Sequence, residues 1–527
     1  MATPKGFARA IIVLTTVTAA VMELIDTSIV NVALSDMSGS LGVNIEDISW
    51  VITSYAIANV IIIPLTGFLA EYFGRKNYYI VSMIIFTMAS YMCGQSTSLV
   101  EIIIWRFIQG VGGGALLSTS QAILFDAFEP QDRPIASGLF GMGIVLGPTL
   151  GPTLGGYIID HASWPLIFMI NIPIGILATF LSFTFIDRKE GEGKKKKDIH
   201  IDYTGILLLM VGIGCLQFVL ERGEAEDWFS SNIIRITTIL ATIGMVGFIW
   251  YELSIKNPAV NLRVLNNRNL AFTTIFTFVV GVGLFTSVFV FPVLAQRTLG
   301  FTAYETGLTL LAPTMITVLM MPIIGKLMSK GVSPIPFVVL GFLLFAAYAW
   351  LSASVSPDVG KWDFFVPLAF RAVGISMVQL PLINQAVAGL QPKDYASGIA
   401  LNNMIRQLGG AFGIALANNY IAHQYAQHRY DLVTKVTGES QMFLERSQTI
   451  ANGIIARSGD VAGAGTKAIA TINGIVDRQS YFLSYLDTFR LITIFFILVI
   501  PLVTFLRVKK KSASEMAATM KAAAEAH

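Results

Sequence analysis

A few ionisable side chains stand inside long apolar runs, among them Glu23 and Asp26 in the run 10–33, Arg106 in the run 99–121, and Arg371 and Arg406 in the second half. A charge at the centre of a bilayer costs on the order of 3 kcal/mol on insertion scales, so those retained there tend to line a cavity and act. Three residues apart on a helix, the two carboxyls point within about 60° of one another, which makes them a coupled pair. Carboxyls facing a partly dehydrated cavity can load and release protons near neutral pH. The chemistry on offer is therefore proton carriage by Asp26, assisted by Glu23, with Arg106 modulating both and held off in the proton-loaded state. A local role for Asp26 is the alternative: capping a helix break through Thr27 and Asn31. For Arg371 and Arg406, bonding to helix carbonyls or a place near the interface accounts for them as well as transport does. By helix position, Met22, Asn59, Gln109, Phe276, Phe285, Phe289 and Gln379 are candidate linings of a substrate pocket. Core packing or lipid contact is the alternative for the aromatic and Met residues.

Such residues need a membrane scaffold to hold them, and the composition supplies one. The 527 residues are 54% hydrophobic and 13% charged, with a mean hydropathy of +0.67, against about 25% charged in soluble domains. The net charge of +3 gives no ground for nucleic-acid binding. Cys93 and Cys215 both lie in apolar runs and offer neither a disulfide framework nor a metal cluster. Lys5 and Arg9 precede an apolar run as in a signal peptide, but that run continues to Leu34 through acidic residues without a small-residue cleavage site. The string Gly110 to Ala115 fits a dinucleotide fingerprint, yet it lies within a span and follows no strand. With no Walker A string either, the sequence reads as a transporter that is not an enzyme.

Apolar runs long enough to cross about 30 Å of hydrocarbon lie near 10–33, 48–70, 78–96, 99–121, 136–158 and 165–186, then 203–221 and 233–253. Six more follow near 270–294, 303–327, 333–354, 363–389, 396–418 and 487–507, fourteen in all. Lys and Arg gather in alternate connections: Arg75 with Lys76, Arg133, Lys194 to Lys197, Lys256 with Arg263 and Arg268, Lys326 with Lys330, Lys393, and Arg507 with Lys509 to Lys511. The positive-inside tendency puts these, and with them both termini, in the cytoplasm. An internal repeat divides the chain. Pro64-x-x-Gly67 is echoed by Pro322-x-x-Gly325, Arg106 by Arg371, and Pro130-x-Asp132 before Ala136-Ser137-Gly138 by Pro392-x-Asp394 before Ala396-Ser397-Gly398. The expected plan is all-α: a six-helix bundle at 1–186, a charged linker with two extra helices at 187–269, a second bundle at 270–507 and a tail at 508–527. Two parallel halves of this kind bind substrate at the midplane between them. The connection 420–484 is anomalously long; apolar positions at helical spacing suggest a folded hairpin, a floppy loop being the alternative.

The stretch Ala136 to Tyr157 sets Gly143, Gly147, Gly151 and Gly155 four residues apart, a side-chain-free ridge on which another helix can lie closely. Gly147-x-x-x-Gly151-Pro152-x-x-Gly155-Gly156 resembles the antiporter signature in the fifth helix of major facilitator drug exporters. Leu24 to Leu34 resembles the first-helix signature of the fourteen-helix drug:proton antiporters. Gly67 to Lys76, with Glu71, Gly74 and Arg75, resembles the superfamily loop between helices two and three. Arg106-x-x-Gln109-Gly110-x-Gly112-Gly113 resembles the fourth-helix proton-transfer motif, and Trp164 to Gly175 and Arg222 to Phe229 extend the likeness over most of the chain. Ser35 stands where the first signature usually ends in Pro, and Glu71-Tyr72 where the loop usually has Asp-Arg.

The chain is thus similar to the EmrB/QacA type of the major facilitator superfamily. That resemblance implies a multi-pass protein of the bacterial inner membrane that exports amphipathic drugs in exchange for protons. It needs no cofactor beyond the proton-motive force, and it works with a periplasmic EmrA-like adaptor and an outer-membrane channel, the connection 420–484 being the docking segment. An exporter of metabolites or lipids with the same fold, an importer, and a receptor or scaffold derived from a transporter are the other classes.

Overall fold

The computed structural model describes residues 6–129, 131–187, 202–256, 258–388, 390, 394–436 and 440–505. Pro130, Lys194 to Lys197, Pro392, Lys393 and the tail 508–527, singled out above, lie outside the described residues. All regular structure among the described residues is helical. The first half comprises α1 (Phe7–Leu41), α2 (Ile45–Ile48), α3 (Trp50–Phe73), α4 (Arg75–Gln95), α5 (Leu99–Asp126), α6 (Arg133–His161), α7 (Leu166–Met169) and α8 (Asn171–Phe185). The inserted pair is α9 (Tyr203–Arg222) and α10 (Asn232–Ser254). The second half comprises α11 (Arg268–Arg297), α12 (Ala303–Ser329), α13 (Pro334–Ser352), α14 (Phe365–Gln385), α15 (Tyr395–Val433), α16 (Gln441–Ser458) and α17 (Ala464–Val499).

Twelve helices among the described residues are long and apolar enough to cross a membrane. This differs from the expected fourteen at α4 and α15, whose tyrosines, asparagines and cations lower their hydropathy. Both pack against several other helices, α4 on α5 and α8, α15 on α11, α17 and α3, so polar side chains there can face protein instead of lipid.

Glycines set how closely the helices pack. In the first half a Cβ on Gly151 would strike Ser28 of α1, and one on Gly155 would lie 2.5 Å from Val32 Cγ2 and 3.1 Å from the Ile29 carbonyl. Gly147 is equally filled by Leu24, whereas Gly143 is looser, with Val21 at 3.0 Å. Pro148 and Pro152 sit within the continuous α6, where neighbouring helices make the loss of backbone donors tolerable. The corresponding pair in the second half, α11 and α15, is closed by the same device. A Cβ on Gly409 would meet the Phe278 carbonyl, and one on Gly413 would lie 2.9 Å from Val282 Cα. The spacing Gly409-x-x-x-Gly413 repeats that of the ridge in α6, a signal the motif reading passed over.

The halves are tied together toward the end that carries Gly74, Arg133 and Asp394. Arg133 Nη1 donates to Tyr395 Oη at 3.0 Å with the guanidinium carbon 4.8 Å from the ring centroid, Ser137 Oγ donates to Asn384 Oδ1 at 2.9 Å, and Gly67 faces Ser397. Nearer the middle, Asn403 Nδ2 donates to Ser118 Oγ at 3.1 Å.

The inserted helices cross at Gly212 and Gly244, so close that a Cβ on Gly244 would be 2.6 Å from Gly212 N. Arg222 fastens α9 to the first half through the Glu46 carbonyl at 2.9 Å and Ser49 Oγ at 2.5 Å. The other face of α10 exposes Ile236, Ile239, Ile243, Val246 and Trp250, an apolar stripe suited to lipid.

The connection 420–484 is not a loop between two spans ending near 418 and starting near 487. Helix α15 continues to Val433, α17 already begins at Ala464, and α16 lies between them. The extensions are fastened by Tyr425 stacked on Tyr481 at 4.0 Å, Arg429 Nε donating to Asp477 Oδ1 at 2.7 Å, and His428 Nε2 paired with Asp487 Oδ2 at 2.7 Å. The polar residues that hid these turns from a hydropathy reading are the ones that hold the extensions together.

Candidate functional site

Two carboxylates of α1 lie in two adjoining polar clusters built by α3, α4, α5 and α8. Asp26, fully buried, accepts from Arg106 Nη1 at 2.5 Å on Oδ2, and from Gln109 Nε2 and Asn171 Nδ2, both at 2.8 Å, on Oδ1. Arg106 also donates to Gln109 Oε1 at 2.8 Å and, through Nε, to the Val51 carbonyl at 3.1 Å, while Gln109 donates to Ser90 Oγ at 2.6 Å. Both oxygens of Asp26 are engaged. In this conformation Arg106 is the direct counter-ion of Asp26, the arrangement of an ionised carboxylate and not of the proton-loaded state in which Arg106 is expected to be held off. A capped helix break at Asp26 is likewise not seen, since α1 runs unbroken from Phe7 to Leu41 and Thr27 Oγ1 bonds the Glu23 carbonyl at 2.8 Å.

Glu23, also buried, is held on one side only. Its Oε1 accepts from Asn59 Nδ2 at 2.9 Å and Tyr55 Oη at 3.2 Å, and its Oε2 has no hydrogen-bond partner. A proton can add to that oxygen without breaking a bond. Tyr55 joins the clusters, because the Arg106 guanidinium carbon lies 4.2 Å from its ring centroid while its hydroxyl bonds Glu23. The glycines of α5 make this possible: a Cβ on Gly110 would be 2.5 Å from the Tyr55 carbonyl, and one on Gly114 2.6 Å from the Asn59 carbonyl. The string Gly110 to Ala115 is thus a helix-packing surface, consistent with setting the dinucleotide reading aside. Tyr55, Ser90 and Asn171 belong to the site although the reading of single residues did not name them. Tyr55 was findable, one turn before Asn59 on the same face.

At the end of α3, Gly74 has φ +83, a backbone conformation favouring glycine, and turns the chain into α4. Arg75 then pairs with Asp126 at the end of α5, and Glu71 stands exposed one turn earlier. Gly147, Gly151, Pro152, Gly155 and Gly156 are all buried in α6. The first, second and fourth of these meet α1 around Leu24, Ser28, Ile29 and Val32, next to Asp26 in sequence.

Several pocket candidates take other roles. Asn59 and Gln109 are committed to Glu23 and Asp26. Met22 and Phe276 are packed in the apolar core, Phe276 with its centroid 5.9 Å from that of Phe342, because tight helix contacts leave them no open face. Phe285 and Phe289 are half-buried, Phe285 against Gly410. Gln379 is buried with neither its amide oxygen nor its nitrogen bonded.

The Major Facilitator Superfamily pattern matches residues 16–414. The probable multidrug resistance protein EmrY of Escherichia coli (strain K12) is 31% identical over 92% of this chain and 92% of its own. The multidrug export protein EmrB of the same organism is 32% identical over 79% of this chain and 80% of its own. Among solved structures, the human organic anion transporter TETRAN superposes with a TM-score of 0.55 over 93% of this chain and 99% of its own at 14% identity, which speaks to the fold alone. With the profile covering most of the chain and relatives above 30% identity along it, the protein belongs to the Major Facilitator Superfamily.

Proposed function

We propose that this protein is a multidrug efflux transporter of a bacterial inner membrane that exchanges amphipathic compounds for protons and needs no cofactor. Relatives named for multidrug export align along most of its length, and the observation carrying the coupling is the unbonded Oε2 of the buried Glu23. In this reading Glu23 carries the proton. The Asp26–Arg106 cluster holds α1, α3, α5 and α8 in one arrangement and reports to Glu23 through Tyr55. A cationic drug and a proton competing for Glu23 give exchange, since neither leaves until the other arrives. Helices α4 and α15 complete fourteen spans, residues 1–186 and 270–507 form the two bundles, and both termini are cytoplasmic.

The test is the purified protein in liposomes with an imposed pH gradient and a cationic dye. Glu23→Gln keeps the bonds from Asn59 and Tyr55 but cannot ionise, so dye-driven proton release should vanish while the melting temperature is kept. Proton release at the unchanged rate would place the coupling elsewhere.

The arm formed by the ends of α15 and α17 with α16 carries α15 on from Asn419 to Val433, about 20 Å of helix. It exposes Val433, Met442, Leu444, Ile469 and Ile475. This supports its docking an EmrA-like periplasmic adaptor that leads to an outer-membrane channel. Replacing 425–480 with a Gly/Ser linker should leave dye transport in liposomes intact and abolish resistance in cells; full resistance would rule the arm out as a required contact.

A further inference from the structure

Among the described residues of the second half, the buried charged side chains are two arginines, Arg371 and Arg406, with no carboxylate. Arginine remains ionised throughout the pH range of folded proteins, and a buried charge is tolerated when something of opposite sign meets it. Arg106 in the first half has that partner. Arg406 makes no ion pair and no hydrogen bond to a side chain or carbonyl among the described residues, and its Nε is buried without a partner.

Its position is fixed from two sides. The Arg406 carbonyl lies against Gly281 of α11, and Asn403, one turn earlier on α15, is bonded to Ser118 of α5. Ser118 is one turn from Gly114, which packs on Asn59, the residue bonded to Glu23. Arg406 is thus set on the second-half side of the seam, one turn from the bond that joins α15 to α5, the helix packed on the residue that holds Glu23. On α11, one turn from Gly281, the second half offers a further unbonded polar group, the Thr277 hydroxyl. The same helix supplies apolar ones: Phe285 rests against Gly410, one turn along α15 from Arg406, and Phe289 is one turn beyond Phe285.

We propose that Arg406 is a binding subsite for the acidic head group of an amphipathic anion, a carboxylate or sulfonate on an aromatic or alkyl body that lies against Phe285 and Phe289. The seam then offers a carboxylate on one wall and a guanidinium on the other, and accepts cations and anions by different side chains. The inference rests on the efflux reading only in taking the seam as the place where substrate sits.

Equilibrium binding to the full-length protein in nanodiscs, with no gradient, tests it. The probes are dansylundecanoic acid as the anion and ethidium as the cation. Loss of a charge-assisted hydrogen bond should weaken the anion roughly tenfold or more in Arg406→Gln. Ethidium should bind more tightly, because a like charge is gone, and Arg406→Lys should retain part of the anion affinity. The proposal is overturned if the wild type binds no anion, if Arg406→Gln binds it unchanged, or if both probes weaken together at an unchanged melting temperature. Nanodiscs with and without phosphatidylglycerol separate two sources of the head group. Competition that Arg406→Gln removes assigns it to a bilayer lipid, and absence of competition to a diffusing amphiphile. Proton-driven ethidium export with anion binding indifferent to Arg406 would sink this inference and leave the efflux reading standing; Arg406-dependent anion binding without any proton-driven export would do the reverse.

Discussion

The two halves share a backbone plan but not a polar interior. In both, the first helix of the half is clamped to the fifth by glycines: α1 to α6 at Gly147, Gly151 and Gly155, and α11 to α15 at Gly281, Gly409 and Gly413. In both, an arginine occupies the same place in the fourth helix. Arg106 is bonded to a carboxylate, an amide and a carbonyl, whereas Arg371 bonds Ser287 Oγ at 3.3 Å and is paired with no acid among the described residues. The repeat thus preserves the contacts that let helices tilt as a unit, while ionisable chemistry has diverged: carboxylates in one half, unpaired cations in the other.

The largest effect expected on this contrast comes from breaking the Asp26–Arg106 pair. Asp26→Asn leaves Arg106 buried without its counter-charge, and removing one partner of a buried ion pair typically costs about 3–5 kcal/mol. The detergent-solubilised variant should melt well below the wild type, and Asp26→Asn combined with Arg106→Gln should recover part of the loss, since both charges then go together. If Asp26→Asn melts with the wild type, the pair is not what holds these helices in register.

How far the sequence disclosed this contrast depends on the kind of interaction. The ridge in α6 was legible because helical packing in lipid uses small residues at fixed spacing, and Gly147, Gly151 and Gly155 meet the neighbour that spacing requires. Glu23, Asp26 and Arg106 stood out because charge is rare in apolar runs. Which carboxylate keeps a free oxygen was not legible. That depends on Asn171 and Ser90, over 60 positions from Asp26 in sequence, and on Tyr55 being drawn in by the absent side chain of Gly110. The apolar spacing within 420–484 suggested a folded hairpin, but its continuity with α15 and α17 was not legible, because hydropathy registers membrane, not helix, and those helices seemed to end where their polar turns begin. Phe276 was read as lining for the converse reason: an aromatic in a span has the same sequence signal whether it faces a cavity or Phe342.

A middle-sized effect probes what the halves have in common. Gly151→Leu would drive a branched side chain into Ser28 and the α1 backbone, and Gly409→Leu into the Phe278 carbonyl. Overpacking typically costs about 1–3 kcal/mol, so both should lower the melting temperature and slow transport to a similar degree. Gly453→Leu in α16, where a Cβ meets nothing within 4 Å, should do neither. Transport lost at Gly151 but kept at Gly409, in equally stable proteins, would show that only the first half needs its close packing to move.

The smallest effect is the one that separates the halves most sharply, the removal of Arg371. Arg371 Nη1 donates to Ser287 Oγ at 3.3 Å, and among the described residues it is paired with no acid. Replacing a buried ion by an apolar side chain of similar length is often neutral or stabilising where no counter-charge is stranded. Arg371→Met leaves Ser287 Oγ still able to donate to the Leu284 carbonyl at 2.8 Å, so nothing charged is abandoned. Its melting temperature should stay within the shift of about 1 kcal/mol, or rise, whereas Arg106→Met, which strands Asp26, should fall as far as Asp26→Asn does. If Arg371→Met proves as damaging as Arg106→Met, the second arginine is answered by an acid in some other conformation of the transporter, and the asymmetry belongs to this conformation alone.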